Sequence, residues 1–372
     1  MSKSGYGILS LNIYQQANNW GSLLQSWALQ QVLDRLGIEN EIVTYKPDIF
    51  RHNHARYPIL WNFPFHIKRF SQMIVTDICE FKDYTKRDDK FKRFVRKHYR
   101  TSEYYDSRNV GNLNYDGYIV GSDIVWHETF WHGFERAYFC DYANMRRARN
   151  IAYAPSLQDS GFSPENEPVF REMLKNFDHI SVRETSQRDY VQKFTDKAVF
   201  CVLDPTLLLD SADYEPLVAS RSIADPYMLV YTVSPNDKLL AYAQSYAAQH
   251  RLRIVQLKCI SEKTQKLQGS IPRNDAGIEE WLSLIKHADV VFTNSFHACI
   301  FSIIFKKQFF ATYREFGKYK IVDLMKALGI DNYCSIDEVY QYSGEPIDYA
   351  KVYQRLEERQ KISLEYLKNA LD

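Results

Sequence analysis

Cysteine is scarce: six in 372 residues, at Cys79, Cys140, Cys201, Cys259, Cys299 and Cys334. None falls in a CxxC or other metal-ligand spacing, which argues against a zinc module or a disulfide framework and suits a reducing compartment. Cys201 and Cys299 sit in apolar runs and read as small core residues. Charge of one sign is also lacking. The formal net charge is +1, so no global field favours nucleic acid, and no nucleic-acid signature accompanies the basic residues. No uncharged run approaches the roughly 20 residues of a membrane span. The N-terminus, MSKSGYGILSLNI, lacks the apolar core of a signal peptide, and the expectation is a cytoplasmic protein. Neither a repeat of fixed period nor a low-complexity segment is found.

Aromatics are abundant, with 27 Tyr and 22 Phe, against a hydrophobic share of 45% and a charged share of 25%. Those shares are those of a soluble globular chain, and the length suggests about two domains. Sugar-binding proteins are often aromatic-rich, but cores use aromatics too.

Tyr6 to Ile13 reads as a first strand. A helix follows through Leu23, Leu24, Trp27, Val32 and Leu36, stopped by Gly37. Before that helix lies Asn18-Asn19-Trp20-Gly21-Ser22. Such a turn aims backbone amides at an anion or sugar hydroxyl, or simply caps the helix; spacing alone favours the cap. Glu41 to Tyr45 is the second strand, giving a parallel α/β start. Residues 50–108 change character, with basic and aromatic runs such as FKRFVRKHYR, and are expected as an insertion. The plainer account is a solvated helix whose aromatics pack inward. The sharper one is a peripheral contact with the inner membrane face or a lipid diphosphate.

Tyr115 to Val120 is a strand closed by Gly121-Ser122-Asp123, a candidate site edge. His179 to Arg183 is another, and a guanidinium fixed at a strand end suits carboxylate or phosphate unless it is merely a salt bridge. Val199 to Leu203 ends in Asp204-Pro205-Thr206, read as a turn. The pattern loosens over Ser211 to Asp225, which divides residues 1–210 from 211–372. Strands and helices then alternate again. A long charged helix, Tyr349 to Leu371, closes the chain and is expected to cross back over both domains.

The most informative stretch is ADVVFTNSFHACIFSIIFKKQFF, Ala288 to Phe310. An apolar β-branched run, a polar turn and a second apolar run read as a buried parallel strand feeding a helix. Ligands sit beyond the carboxyl ends of such strands. His297 falls there, flanked by Asn294 and Ser295, either as a general acid/base or as an inert helix-capping histidine.

Five blocks in register resemble the polysaccharide pyruvyl transferase family: NNWGSLLQSWALQ, YDGYIVGSDIVW, ISVRE, VLDPTLLLD and EEWLSLIKHADVVFTNSFHACIFSIIF. The resemblance runs from about residue 7 to about residue 335. It implies an α/β fold of two Rossmann-like domains facing a cleft, the glycosyltransferase B-like architecture, with which the strand and helix reading agrees. It implies transfer of the pyruvyl group of phosphoenolpyruvate to two hydroxyls of one sugar, making a cyclic ketal on an envelope or capsular polysaccharide precursor, often while lipid-linked. No metal and no cofactor beyond that co-substrate are expected.

By the resemblance, His297 matches the family's motif histidine and Arg183 an arginine of the SVRE block, as acid/base and donor-anion ligand respectively. Arg314, after the next strand, is expected as a second cation, with Asn294 and Ser295 also on the donor side. Asn19, Gly21, Ser122 and Asp123 are expected on the acceptor side. The C-terminal domain is expected to bind donor and the N-terminal domain acceptor. One departure stands out: where some members carry a basic residue two places before the motif histidine, this chain has Ser295, so one donor contact is either missing or supplied by Arg314, Lys318 or Lys320. Two rivals remain: a nucleotide-sugar glycosyltransferase on the same fold, weakened by the lack of an evident carboxylate pair, and a non-catalytic glycan-binding assembly protein.

Overall fold

A computed structural model describes residues 3–11, 19–50, 78–258, 266–313, 318–335 and 345–372. Arg314 and residues 51–77 of the basic stretch lie outside the described residues.

The first half builds β1 (Lys3–Leu9), α1 (Trp20–Arg35), β2 (Asn40–Lys46), α2 (Ile78–His98), β3 (Thr101–Asp106), β4 (Tyr115–Val120), β5 (Arg149–Ala152), α3 (Glu167–Leu174), β6 (His179–Val182), α4 (Thr185–Val191) and β7 (Val199–Cys201). These strands form one parallel sheet in the order β3-β2-β1-β4-β5-β6-β7. The second half builds β8 (Tyr227–Thr232), α5 (Asp237–His250), β9 (Arg253–Lys258), β10 (Ile271–Pro272), α6 (Ile278–Lys286), β11 (Val290–Thr293), α7 (Phe296–Ile304), β12 (Gln308–Thr312), α8 (Lys318–Leu328), β13 (Cys334–Ser335) and α9 (Tyr349–Leu371). Its sheet, also parallel, runs β10-β9-β8-β11-β12-β13.

Both orders reverse direction beside the first strand of their sheet. Each therefore has a switch point, between β1 and β4 and between β8 and β11, where the outgoing chains diverge and leave a crevice. The fold is α/β, with two Rossmann-like domains of glycosyltransferase B-like architecture. The central strands are apolar because helices cover both faces: every residue of β8 and of β11 is buried.

Residues 78–106, expected as part of an insertion, instead supply α2 and the edge strand β3. The strand is hard to see because TSEYYD is half exposed and polar. In α2 the aromatics Phe91 and Phe94 are buried, while Lys92, Arg93, Arg96 and Lys97 face solvent. That is the plainer of the two readings of this helix. Among the described residues no helix is long and apolar enough to cross a membrane.

Contacts at both ends of the chain help to join the halves. At the start of α1, Trp20 is fully buried and stacks on Trp281 at 6.3 Å, with its indole Nε1 donating to Ala276 O at 3.0 Å. The Arg87 guanidinium lies 4.7 Å over the same indole. At the other end of the chain, α9 lies against the first sheet: Tyr366 donates to Ala152 O at 2.9 Å, and Leu203 N donates to Ser363 Oγ at 2.9 Å.

Candidate functional site

β7 delivers the chain to Asp204, which caps the 3-10 turn Pro205–Leu208. Its Oδ1 accepts from Thr206 N at 3.1 Å and from the Thr206 hydroxyl at 2.6 Å. Oδ2 is left pointing at three groups. The Arg183 Nη1 donates to it at 2.8 Å, Ser122 Oγ lies 3.2 Å away, and His297 Nε2 lies 3.6 Å away. The carboxylate is fully enclosed. Burial alone would raise its pKa; the His297 imidazole, the Arg183 charge and the Thr206 hydroxyl outweigh that and hold it well below the usual carboxylate range.

Arg183 follows β6. Its Nε donates to Glu184 Oε1 at 3.1 Å, and its guanidinium stacks 4.4 Å from the Phe296 ring. The side chain is 4% exposed. Burial pulls against its charge, but Glu184, Asp204 and Asp123 push its pKa further up, so it is a permanent cation. It is thus neither a surface salt bridge nor an open cation. Two of its edges are held by carboxylates, which leaves Nη2 without a protein hydrogen bond among the described residues.

His297 sits in the first turn of α7, at the switch point of the second sheet. Ser295 caps that helix, its Oγ accepting from Ala298 N at 3.4 Å. The imidazole crosses to the first domain and packs on Gly21, where a Cβ would fall inside the ring. Its Nε2 is buried and lies within ion-pair distance of Asp204, but it has no hydrogen-bond partner among the described residues. A buried nitrogen without a partner is costly in a finished core and useful at a site awaiting a ligand.

The remaining candidates divide. Gly21 meets His297 directly. Ser122 joins the Asp204 cluster, its backbone N donating to Gln25 Oε1 at 3.2 Å. Asn19 spends its side chain on Gly21 N and Ser22 N as the cap of α1. Asp123, with φ +75, accepts from Ile124 N at 2.9 Å and is 8% exposed. Asn294 uses both ends of its amide on the turn after β8, accepting from Val233 N and donating to Ser234. Asn19, Asp123 and Asn294 therefore spend their side chains on local bonds.

Beside Arg183 a pocket opens between the halves, lined by Arg183, Asp204, Phe296, Lys320, Asp323 and Arg359 among others. Cys201 also lines it and is half-buried rather than core; burial pushes its thiol pKa up. Asp204 and Arg359 are the functional candidates that sequence reasoning missed. Asp204 stood in a block that looked like a turn. Arg359 is one charge among many on a charged helix. Among the described residues no three His, Cys, Asp or Glu side chains converge as a metal site requires.

No curated protein matches the chain. Among solved structures it is similar to S. aureus MnaA with UDP, at 11% identity over 98% of this chain and 91% of that one, TM-score 0.48. It is also similar to the glycosyltransferase SnogD from Streptomyces nogalater, at 11% identity over 100% of each chain, TM-score 0.42. A functional uncharacterized protein from Klebsiella pneumoniae matches at 14% identity over 70% of this chain and 88% of that one, TM-score 0.38. Residues 19–315 match the family described as polysaccharide pyruvyl transferase, a span that takes in α1, Arg183, Asp204 and His297. That span is well over half of the sequence, and the chain belongs to the polysaccharide pyruvyl transferase family.

Proposed function

We propose that this protein transfers the pyruvyl group of phosphoenolpyruvate to two hydroxyls of a sugar in a lipid-linked polysaccharide precursor, forming a cyclic ketal and releasing phosphate. One observation carries the reading: His297 from one domain and Arg183 from the other converge on a single buried carboxylate, Asp204, beside an interdomain pocket. Family membership supports the transferase class.

The chemistry needs a proton for the methylene carbon of the enol ester and cations for its carboxylate and phosphate. In the proposal, His297 Nε2 delivers that proton, leaving a cationic C2 that one sugar hydroxyl attacks. Neutral His297 takes up the hydroxyl proton. The second hydroxyl then attacks C2, the C2–O bond to phosphate breaks, and phosphate leaves carrying the second proton. Asp204 faces the imidazole from the side of the first domain and Arg183 Nη2 meets the donor's anionic end, each contact strengthened by burial.

The test is incubation with phosphoenolpyruvate and candidate glycans, following phosphate release and the mass of the product. A pyruvyl ketal adduct is expected, and His297→Ala should lower turnover by about 10²–10⁴-fold. Consumption of a nucleotide sugar with phosphoenolpyruvate untouched would overturn the reading.

A further inference from the structure

The pocket poses a charge problem. Arg183 already faces Asp204 and Glu184, so it cannot by itself neutralise a donor carrying both a carboxylate and a phosphate. A dianionic group needs further cations at hydrogen-bond range. Lys320, on α8, lines one wall. Its neighbour Asp323 is turned to Ser186, accepting from the Ser186 hydroxyl at 3.3 Å.

The opposite wall is α9. Arg359, Ile362 and Ser363 line the pocket from this helix, three and four residues apart and hence on one face. The helix is pinned on both sides of Asp204: Ser363 Oγ accepts from Leu203 N at 2.9 Å, and Gln360 Nε2 donates to Leu207 O at 2.6 Å. Arg359 is half-buried there. No described carboxylate lies within ion-pair distance of it, although the chain carries 46 acidic residues. A helical arginine anchored beside a pocket, partly desolvated and not ion-paired, suits an incoming anion that fits its two-pronged donor edge.

We propose that Arg359 is a phosphate ligand of the donor subsite, carried into the pocket by the helix that returns across the first domain. This deepens the pyruvyl transfer reading and rests on it for the identity of the donor. Arg359 lies on the C-terminal helix, beyond the span matched by the family. It binds and does not take part in bond making.

The experiment measures dissociation constants for phosphoenolpyruvate and for inorganic phosphate by calorimetry, on the full chain. Arg359→Gln is expected to weaken both by about ten- to a hundredfold, the loss of one charge-assisted contact. Arg359→Lys should recover part of it. Arg355→Gln, exposed on the same helix, should change nothing. Thermal unfolding should be the same within error for Arg359→Gln and wild type, since no ion pair is lost. Should the Gln variant fail to fold, the Lys variant decides, with a several-fold weakening expected and none overturning the proposal. Unchanged affinity in Arg359→Gln sinks the Arg359 assignment while leaving pyruvyl transfer standing. Wild type that binds phosphate through Arg359 but not phosphoenolpyruvate keeps the anion subsite and removes the donor. Wild type that binds neither overturns both.

Discussion

The imidazole of His297 occupies the space into which any side chain at Gly21 would project. These residues belong to different domains, and each lies at the helix start beside its sheet's switch point. Glycine at position 21 is therefore required by close approach, since its own backbone is ordinary helix. Gly21→Ala should displace the ring and lower turnover by at least tenfold, even though alanine favours helix. Thermal unfolding checks the cause. Contacting residues couple, so the drop in Tm caused by Gly21→Ala should shrink in a His297→Gly background. Equal drops in both backgrounds would place the strain elsewhere.

Asp204 is the counterion that Arg183 and His297 share. Removing one partner of a buried pair leaves uncompensated charge, so Asp204→Asn should cost about 3 kcal/mol in urea unfolding. Its low folded pKa also sets a sign. As pH falls through about 4 the unfolded chain takes up the proton first, so the stability from this group is present above that pH and declines below it. Wild type should lose stability more steeply than Asp204→Asn below pH about 4. Parallel curves would show that the carboxylate is not stabilised in the folded state.

Much of this was legible in the sequence, and the exceptions are physical. The helices Ile278–Lys286 and Tyr349–Leu371 announce themselves by amphipathic spacing, and β11 by its β-branched run. The edge strand β3 escapes because an edge has only one neighbour and tolerates polar residues. His297 and Arg183 stand out as chemistry at the ends of strands. Asp204 does not, because DPT spells a turn equally well when its carboxylate is idle. Only the packing of β6, β7 and α7 shows that its second oxygen faces a guanidinium and an imidazole. Arg359 is invisible for the same reason: a helix of charges does not say which one faces inward.

Trp20 tests whether the halves stand as one body. Its ring meets Trp281, Tyr231, Phe91 and Arg87, and its Nε1 donates to Ala276 O. Trp20→Ala removes these contacts from both sides and should cost about 3–5 kcal/mol. Denaturation followed by fluorescence and by circular dichroism should then separate into two transitions. A single coincident transition, with stability unchanged, would show that Trp20 does not couple the domains.

His127 supplies a pH dependence near neutrality. It caps the single turn Glu128–Trp131, with Nδ1 accepting from Phe130 N at 3.2 Å, so that nitrogen must be unprotonated. Burial lowers its pKa and the Lys320 charge across the cleft lowers it further, to about 4, while Asp159 and Glu128 resist. The folded value lies below the unfolded one of about 6.5. Between those values the unfolded chain binds a proton that the folded chain refuses, so stability is complete above pH 6.5 and falls as pH drops towards 4. The fall should be on the order of 2 kcal/mol. His127→Asn keeps a capping acceptor and has nothing to titrate, so its stability should stay flatter across that window. Because Lys320 belongs to the other domain, Lys320→Gln should shift the wild-type midpoint upward, read directly from the imidazole resonances. A midpoint that does not move would mean that the lysine lies too far from the ring to act on it.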